Sequence, residues 1–597
     1  MSKKRSGLSE LQAAFRSCNG GFFMTGTFSL IINLLMLSGP LYMMLVYDRV
    51  LTSQSTSTLV YLSLLIAGLF VIMGLLSAVR SKILIRIGSR INLRLSERVF
   101  EAQIKKSAAR NNKGQDGVRD LQTLREFLSG TGPSTLFDAP WTPVYIAVVF
   151  LLDPLLGWIA TGGAVLLLLL ALINEFMTRG NLAKATHALA ESNEIVADSR
   201  NNAEVLASMH MLPGLYRQWQ KLQHRALRLQ NKASDRSASL TSMTKTIRLM
   251  LQSAILGAGA YLAISGVISP GAMIAASLIM GRGLAPVEQA IGSWRHFIAA
   301  RGAHRRIRQL LEDVPAEEPR TLLPAPSGRL SVEKLFAGIP GKEGNSLILS
   351  NISFSLNAGE VLAVIGPSAS GKSTLARLLV GAWPPHHGHV RLDSADLWQW
   401  DREQLGQYIG YLPQDVELLN GTVKENIARF SEEIDDSAVV AAAMNAGAHE
   451  MILGLPEGYN TTIGAGGRLL SGGQRQRIGL ARALYGDPAL VVMDEPNASL
   501  DAVGEEALSE AIKHMKTRGQ TVVVVAHRPS AVKQADKVLV LDRGRVSAFG
   551  PKSEVFAALS ERNAGDGKAA TSTNAITGPG AGLSTGPRIV VQQRKAS

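Results

Sequence analysis

The sequence predicts an all-α domain of six membrane-crossing helices fused to an α/β domain. Three observations predict it. The first half holds six apolar stretches, each long enough to cross most or all of a ~30 Å hydrocarbon core. The whole chain of 597 residues is 46% hydrophobic and only 18% charged, a membrane-protein balance. In the second half an apolar run, a glycine-rich turn and a helix-compatible segment follow one another over residues 361–379, a pattern of α/β domains.

Lys3, Lys4, Arg5 and Arg16 precede the first apolar stretch, residues 22–46. That stretch is too long for the core of a signal peptide and has no small-residue cleavage site, so it reads as a membrane helix with a cytoplasmic N-terminus. A short outer loop, 47–57, leads to the second span at 59–79. Residues 80–134 then carry twelve Lys/Arg against five Asp/Glu, with Arg80, Lys82, Arg86, Arg90, Arg94 and Arg98 at near-helical spacing. This is the signature of a helical extension on the inner side. The third span is 137–152, Asp153-Pro154 makes a tight outer turn, and the fourth span is 155–173. Residues 174–245 are again polar and helical, with ten Lys/Arg, interrupted at Met211-Leu212-Pro213-Gly214-Leu215. The fifth span, 247–267, and the sixth, 271–290, are separated by Ser269-Pro270. Both termini and both long loops fall inside.

Arg282 lies about 17 Å into the sixth span at 1.5 Å per residue. A lipid-facing arginine at that depth costs roughly 2.5–3.5 kcal/mol or more, so Arg282 is expected to face an interior path between the helices, with Gly281 and Gly283 leaving room beside it; a span shifted outward, with Arg282 snorkelling to the cytoplasmic interface, is the alternative. The net charge of +14 raises nucleic acid as a partner, but no recognition helix, zinc spacing or stacking motif accompanies it. The positive-inside pattern accounts for the charge. Cys18 is the single cysteine, which excludes an intramolecular disulfide and a Cys-based zinc site. Residues 1–314 therefore form the transmembrane domain and 315–329 a Pro-rich linker. The α/β domain occupies 330–560, and 561–597 form a Gly/Ser/Thr-rich tail expected to be disordered.

Within 330–560, Val361-Leu362-Ala363-Val364-Ile365 leads into Gly366-Pro367-Ser368-Ala369-Ser370-Gly371-Lys372-Ser373-Thr374. This is a P-loop: its backbone N–H groups and the following helix N-terminus cradle phosphates, Lys372 neutralises phosphate oxygens and Ser373 can ligate Mg²⁺. A glycine turn with no ligand is the bland reading, and the strand before it and helix after it count against that. Leu490-Val491-Val492-Met493-Asp494-Glu495 is an apolar strand ending in two carboxylates, Asp494 for the cation shell and Glu495 to orient or deprotonate the attacking water. Leu470-Ser471-Gly472-Gly473-Gln474 is a second glycine-rich helix start and so a second anion site. Gln414 and His527 each sit just past a strand, where open α/β sheets meet ligands.

Taken in chain order, with the P-loop, the Leu470–Gln474 stretch, the Asp494-Glu495 pair, Ser499-Leu500-Asp501 and His527 in succession, residues 330–551 resemble the nucleotide-binding domain of an ATP-binding cassette (ABC) transporter. The full chain resembles an ABC exporter half-transporter. The resemblance implies an α/β P-loop domain with a helical subdomain, ATP and Mg²⁺ as cofactors, and Ser373, Gln414 and Asp494 at the cation. It implies Lys372, Glu495 and His527 as catalytic residues, with Asp501 and Gln474 also near the nucleotide. It further implies a homodimer in which Ser471, Gly472 and Gly473 of one chain close on the P-loop of the other. Two coupling helices are expected in the inner loops, near 114–122 and 208–216.

Leu136-Phe137-Asp138-Ala139-Pro140-Trp141-Thr142-Pro143, Gly271-Ala272-Met273-Ile274-Ala275-Ala276-Ser277 and Asp494-Glu495-Pro496-Asn497-Ala498-Ser499-Leu500-Asp501 are similar to one subfamily, the exporters of bacterial type I secretion systems. That likeness implies an inner-membrane location, a periplasmic adaptor, an outer-membrane channel and a secreted, unfolded protein substrate with a C-terminal signal. Only about twenty residues precede the first span, so a leader peptidase domain is not expected. An exporter of lipids or amphipathic molecules shares the architecture, and a membrane-anchored regulatory ATPase is a further alternative. Two positions depart from the family pattern: Ile339 stands where an aromatic commonly stacks on the base, and Ala465 where many exporters have Glu.

Overall fold

A computed structural model describes residues 6–110, 116–317, 320–339, 347–526 and 532–560. His527, the start of the 114–122 segment, the Pro340-Gly341 step and the tail from 561 lie outside these residues. The chain divides into two compact units, Met1–Glu318 and Pro319–Ser597.

Six helices of the first unit are long and apolar enough to cross a membrane: Asn19–Ser53, Thr56–Ala108, Thr131–Leu152, Pro154–Arg200, Leu212–Ile264 and Pro270–Asp313. At 1.5 Å per residue the longer ones reach about 65–80 Å, more than twice the hydrocarbon core, so their charged halves extend well beyond it. Turn chemistry sets their starts. Asp153 Oδ1 accepts from the N–H of Leu155 at 2.8 Å and of Leu156 at 3.3 Å, and Pro154 follows where no N–H is needed. Ser269 caps the sixth helix in the same way, its Oγ accepting from Ala272 N at 3.1 Å ahead of Pro270.

The segment expected as an outer loop at 47–57 is largely helical. A π-helical turn, Val46–Val50, carries the first helix on to Ser53, and the chain reverses only at Gln54, whose φ is +51°. The third span is bent: Thr131–Asp138 passes through a 3₁₀ turn, Ala139–Trp141, into Thr142–Leu152, because Pro140 and Pro143 cannot donate to a regular ladder. Asp138 is anchored at that bend. Arg80 Nη1 and Asn33 Nδ2 both donate to Asp138 Oδ1 at 2.9 Å, and Tyr145 Oη donates to the Asn33 carbonyl at 2.9 Å. The first three spans are thereby joined through polar groups.

In the two long loops expected on the inner side, the short segments shift. A helix Gly117–Ser129 covers the described end of 114–122 and continues past it, held to the sixth helix by Asp120, which accepts two bonds from Arg306 at 2.8 and 2.6 Å. The short helix of the second loop is Ala203–Ser208, upstream of the expected 208–216. Pro213 decides this: it is tolerated in the first turn of a helix and not beyond, so it opens Leu212–Ile264.

The second unit holds two sheets. Strands β1 (Leu330–Gly338), β2 (Leu347–Leu356), β4 (His387–Leu392) and β5 (Ala395–Asp396) form an antiparallel sheet in the order β2-β1-β4-β5. Strands β3 (Val361–Ile365), β6 (Ile409–Leu412), β7 (Leu490–Asp494), β8 (Thr521–Val525), β9 (Lys537–Asp542) and β10 (Arg545–Pro551) form the second, in the order β10-β9-β3-β8-β7-β6. It is parallel except for β10. All residues of β7 and β8 are buried, as continuous apolar runs in a covered parallel sheet should be. Their period of two feeds two cores. Val491, Met493, Val522 and Val524 face a helical layer containing Asp436–Asn445 and Gly472–Leu484, while Val492, Val523 and Val525 face the helix Lys372–Leu379 and the antiparallel sheet.

Candidate nucleotide site

Strand register brings the sequence-predicted residues to one edge. Val364 of β3 and Asp494 of β7 both pair with Val525 of β8, and Leu412 of β6 pairs with Met493. Gly366, Gln414 and Glu495 thus leave the sheet at the same C-terminal edge, the ligand edge of open α/β sheets. Ala526 follows β8 there, its N–H donating to Val364 O at 3.0 Å, and the next residue is His527.

The P-loop turns through positive φ at Gly366 (153°), Ala369 (63°) and Gly371 (98°). Gly366 has no alternative: a Cβ there would lie 2.1 Å from the backbone carbonyl oxygen of Leu541. Lys372, 5% exposed, donates from Nζ to the carbonyls of Gly366 and Pro367, both at 2.9 Å. Burial pulls its pKa down, against the charges of Glu495 and Asp494, which hold it up. Ser370 is buried with its Oγ unpartnered among the described residues.

Asp494 is almost fully buried, and burial pushes its carboxyl pKa up. The Ser373 hydroxyl bond and the charges of Arg377 and Lys372 oppose that shift, and the neighbouring Glu495 adds to it. Its Oδ1 has no partner among the described residues. An ionisable oxygen left bare beside a serine hydroxyl is a donor set suited to a hard, oxygen-seeking cation, so these residues fit Mg²⁺. No cluster of three His, Cys, Asp or Glu suited to a metal occurs among the described residues, so such a cation would rely on Asp494 and Ser373 together with Gln414, which leaves the sheet at the same edge, and phosphate oxygens.

Glu495 adopts φ +50°, a strained turn directly after β7 that is fastened by its N–H to Val525 O at 3.0 Å. Gln476, on the helix Gly472–Leu484, holds the following loop: its Nε2 donates to Pro496 O and its Oε1 accepts from Ser499 N at 3.0 Å. Arg477 Nη2 reaches Asp501 Oδ1 at 3.2 Å, while the same oxygen accepts from Gly504 N at 2.8 Å and so caps the next helix. Ser471 and Gln474 form a reciprocal capping box. Ser471 Oγ accepts from Gln474 N at 3.2 Å and Gln474 Oε1 from Ser471 N at 2.8 Å. Among the described residues no hydrogen bond joins Ser471, Gly472, Gly473 or Gln474 to residues 366–374 of the same chain.

Sequence reasoning passed over Gln476, Arg377 and Tyr411. Arg377 bonds to Tyr411 and lends its charge to Asp494, and burial raises the Tyr411 pKa. No local pattern marks these residues; the adjacency of β6 to β7 joins them. Ile339 directly follows β1 and is exposed. Arg282 is exposed on the surface of the single chain, beside Gly283, whose position is so close to Tyr145 that a Cβ would lie 2.9 Å from the Tyr145 Cβ.

Residues 349–498 match the ABC transporter family and residues 22–284 the ABC transporter transmembrane region. The type I secretion system ATP-binding protein PrsD of Rhizobium meliloti (strain 1021) is 45% identical over 91% of this chain and 94% of its own length. The leukotoxin translocation ATP-binding protein LktB of Mannheimia haemolytica is 30% identical over 90% of this chain and 76% of its own. A solved bacterial Atm1-family ABC exporter superposes with a TM-score of 0.74 over 93% of this chain and 99% of its own, at 20% identity, a likeness of fold. The chain belongs to the ABC transporters, among their type I secretion ATP-binding proteins.

Proposed function

We propose that this chain is the ATP-driven inner-membrane exporter of a type I secretion system, coupling ATP hydrolysis to passage of an unfolded protein that carries a C-terminal signal. Its partners in this reading are a second copy of itself, a periplasmic adaptor and an outer-membrane channel. Residues 1–314 form the transmembrane domain, 315–329 the linker and 330–560 the ATPase, with both termini inside.

The residues act as follows. The backbone of 366–374 cradles the phosphates, and Lys372 exchanges the carbonyls of Gly366 and Pro367 for phosphate oxygens. Ser373, Asp494 and Gln414 would hold Mg²⁺, which would supply positive charge to offset that of the phosphates. Glu495, at its fixed turn, orients and deprotonates the attacking water, with His527 completing the γ-phosphate contacts. Ser471, Gly472 and Gly473 close the site from the partner chain.

The observation that carries this reading is the separation of the two halves. Each motif occurs once in the chain, and Ser471 is capped within its own helix with no bond to its own P-loop among the described residues. A heterodimer of a Ser471→Arg chain with a Lys372→Ala chain tests it. Both lesions fall on one composite site, so about half of the wild-type ATPase rate is expected if the sites turn over independently. Total loss in isolated heterodimers overturns independent sites. Co-purification with an adaptor and channel, against stimulation by lipid substrates alone, separates protein secretion from lipid export.

A further inference from the structure

The C-terminal end of the first helix grips the start of the sixth. Asp48 sits inside the π-helical turn Val46–Val50, a distortion that recurs at functional positions in helices. Its Oδ2 accepts from Ser269 Oγ at 2.5 Å and its Oδ1 from Gly271 N at 2.8 Å. Both oxygens are thus spent on the first turn of a helix 221 and 223 residues away, where the helix dipole also favours a negative charge. The approach leaves no slack: a Cβ on Gly271 would lie 2.5 Å from the Met44 carbonyl and 2.6 Å from Asp48 Cγ. Packing of the first helix on the sixth is concentrated in this far part, Ser38–Val50. The same helix uses Asn33, in its other half, to join the second and third spans through Asp138.

We propose that Asp48 is a positioning residue for transport, a far-side latch that closes the translocation path by clamping the first span to Ser269 and Gly271 and opens when ATP binds. The inference rests on the exporter reading above. A protein exporter must hold its far end shut while its inner end admits substrate. An interaction suited to that task is strong when made and lost as a unit, and here every acceptor belongs to one side chain and both donors to the first turn of one helix. Separation of the two helices frees all of them together, at a level where water from the far side can replace the bonds. A merely structural cap has no reason to respond to nucleotide.

The test uses the full-length chain with Cys18→Ser, Asp48→Cys and Ser269→Cys in vesicles of phosphatidylethanolamine and phosphatidylglycerol. Oxidation without nucleotide is expected to cross-link the pair and to lower ATP turnover by about tenfold or more, with recovery on reduction. With Glu495→Gln added and MgATP present before oxidation, cross-link yield should fall several-fold. Equal yield with and without MgATP, together with unchanged turnover after cross-linking, overturns the latch. A second measurement needs no disulfide. A single Ala272→Cys in the Cys18→Ser chain, which leaves Ser269 and Gly271 in place and puts the thiol at a buried position of the same helix start, should, without nucleotide, react with a membrane-impermeant maleimide about ten- to a hundredfold faster once Asp48→Ala is added, the factor expected for losing charge-assisted hydrogen bonds. Asp48→Asn, which keeps an acceptor for Gly271 N, should restore most of the protection. Unchanged labelling in Asp48→Ala overturns the proposal. Absence of ATP hydrolysis by the unsubstituted chain would overturn the exporter reading instead.

Discussion

Gln476 Oε1 accepts the backbone N–H of Ser499 at 3.0 Å, so the helix that begins with Ser471-Gly472 is fastened to the loop that follows the Asp494-Glu495 pair. Its Nε2 donates to the Pro496 carbonyl, and the residue is 4% exposed. Gln476→Leu removes both bonds while keeping the volume, stranding a buried acceptor and a part-buried donor. A stability loss of about 1–3 kcal/mol follows for the ATPase domain. ATP turnover should fall about tenfold as residues 495–501 lose their support, and Gln476→Glu, which keeps the acceptor for Ser499, should fall less. Thermal unfolding and steady-state ATPase assays measure the two effects, and wild-type values for Gln476→Leu would refute the role.

Lys372 and Glu495 should separate binding from chemistry. Lys372→Ala abolishes ATP-dependent export, because its charge acts on phosphate oxygens before and during reaction. Glu495→Gln keeps nucleotide affinity and slows hydrolysis by about 10²–10⁴-fold, the range for loss of a general base. Equilibrium ATP binding with single-turnover hydrolysis distinguishes them. Near-normal hydrolysis by Glu495→Gln removes Glu495 from the mechanism.

Asp494 predicts a pH-dependent stability. Its folded pKa is raised, chiefly by burial, so the folded state binds the proton more tightly than the unfolded state does. Stability is then highest below the ordinary carboxylate pKa, falls as pH rises through the raised folded value, and stays reduced at neutral pH. Asp494→Asn should therefore raise the melting temperature of the nucleotide-free protein at pH 7, by roughly 2–4 °C per kcal/mol relieved, while abolishing hydrolysis. The gain should shrink as pH drops into the acid range. A melting-temperature difference independent of pH contradicts the burial argument.

Arg282 tests the transmembrane reading. A cysteine at that position, in the Cys18→Ser chain, should react with a water-soluble thiol reagent in at least one nucleotide state and be shielded by secreted substrate. Reaction only with a lipid-soluble reagent places residue 282 against lipid.

The P-loop, the Asp494-Glu495 pair and the glycine-rich helix start at Ser471 were legible because each is a contiguous pattern whose chemistry is local: glycines in a turn, a strand ending in carboxylates, glycines opening a helix; the reciprocal cap between Ser471 and Gln474 came only with the structure. The six spans were legible for the same reason, since hydrocarbon thickness acts on consecutive residues. Helix ends were less so. The turn after residue 46 is polar enough for a loop, yet a π turn keeps it helical and Asp48 finds its partners on another helix. Pro213 moved the short inner helix upstream, because a proline opens a helix more readily than it sits within one.

What only the tertiary structure decided is which side chains meet across long sequence separations. Nothing near Asp48 names Ser269 and Gly271, nothing near Gln476 names Pro496 and Ser499, and nothing near Asp120 names Arg306. Local sequence determines backbone conformation through sterics and neighbouring hydrogen bonds, acting over a few residues. A buried polar side chain instead takes whichever partner the packed elements deliver to within about 3 Å. That delivery depends on strand order and helix packing, which are properties of the whole chain.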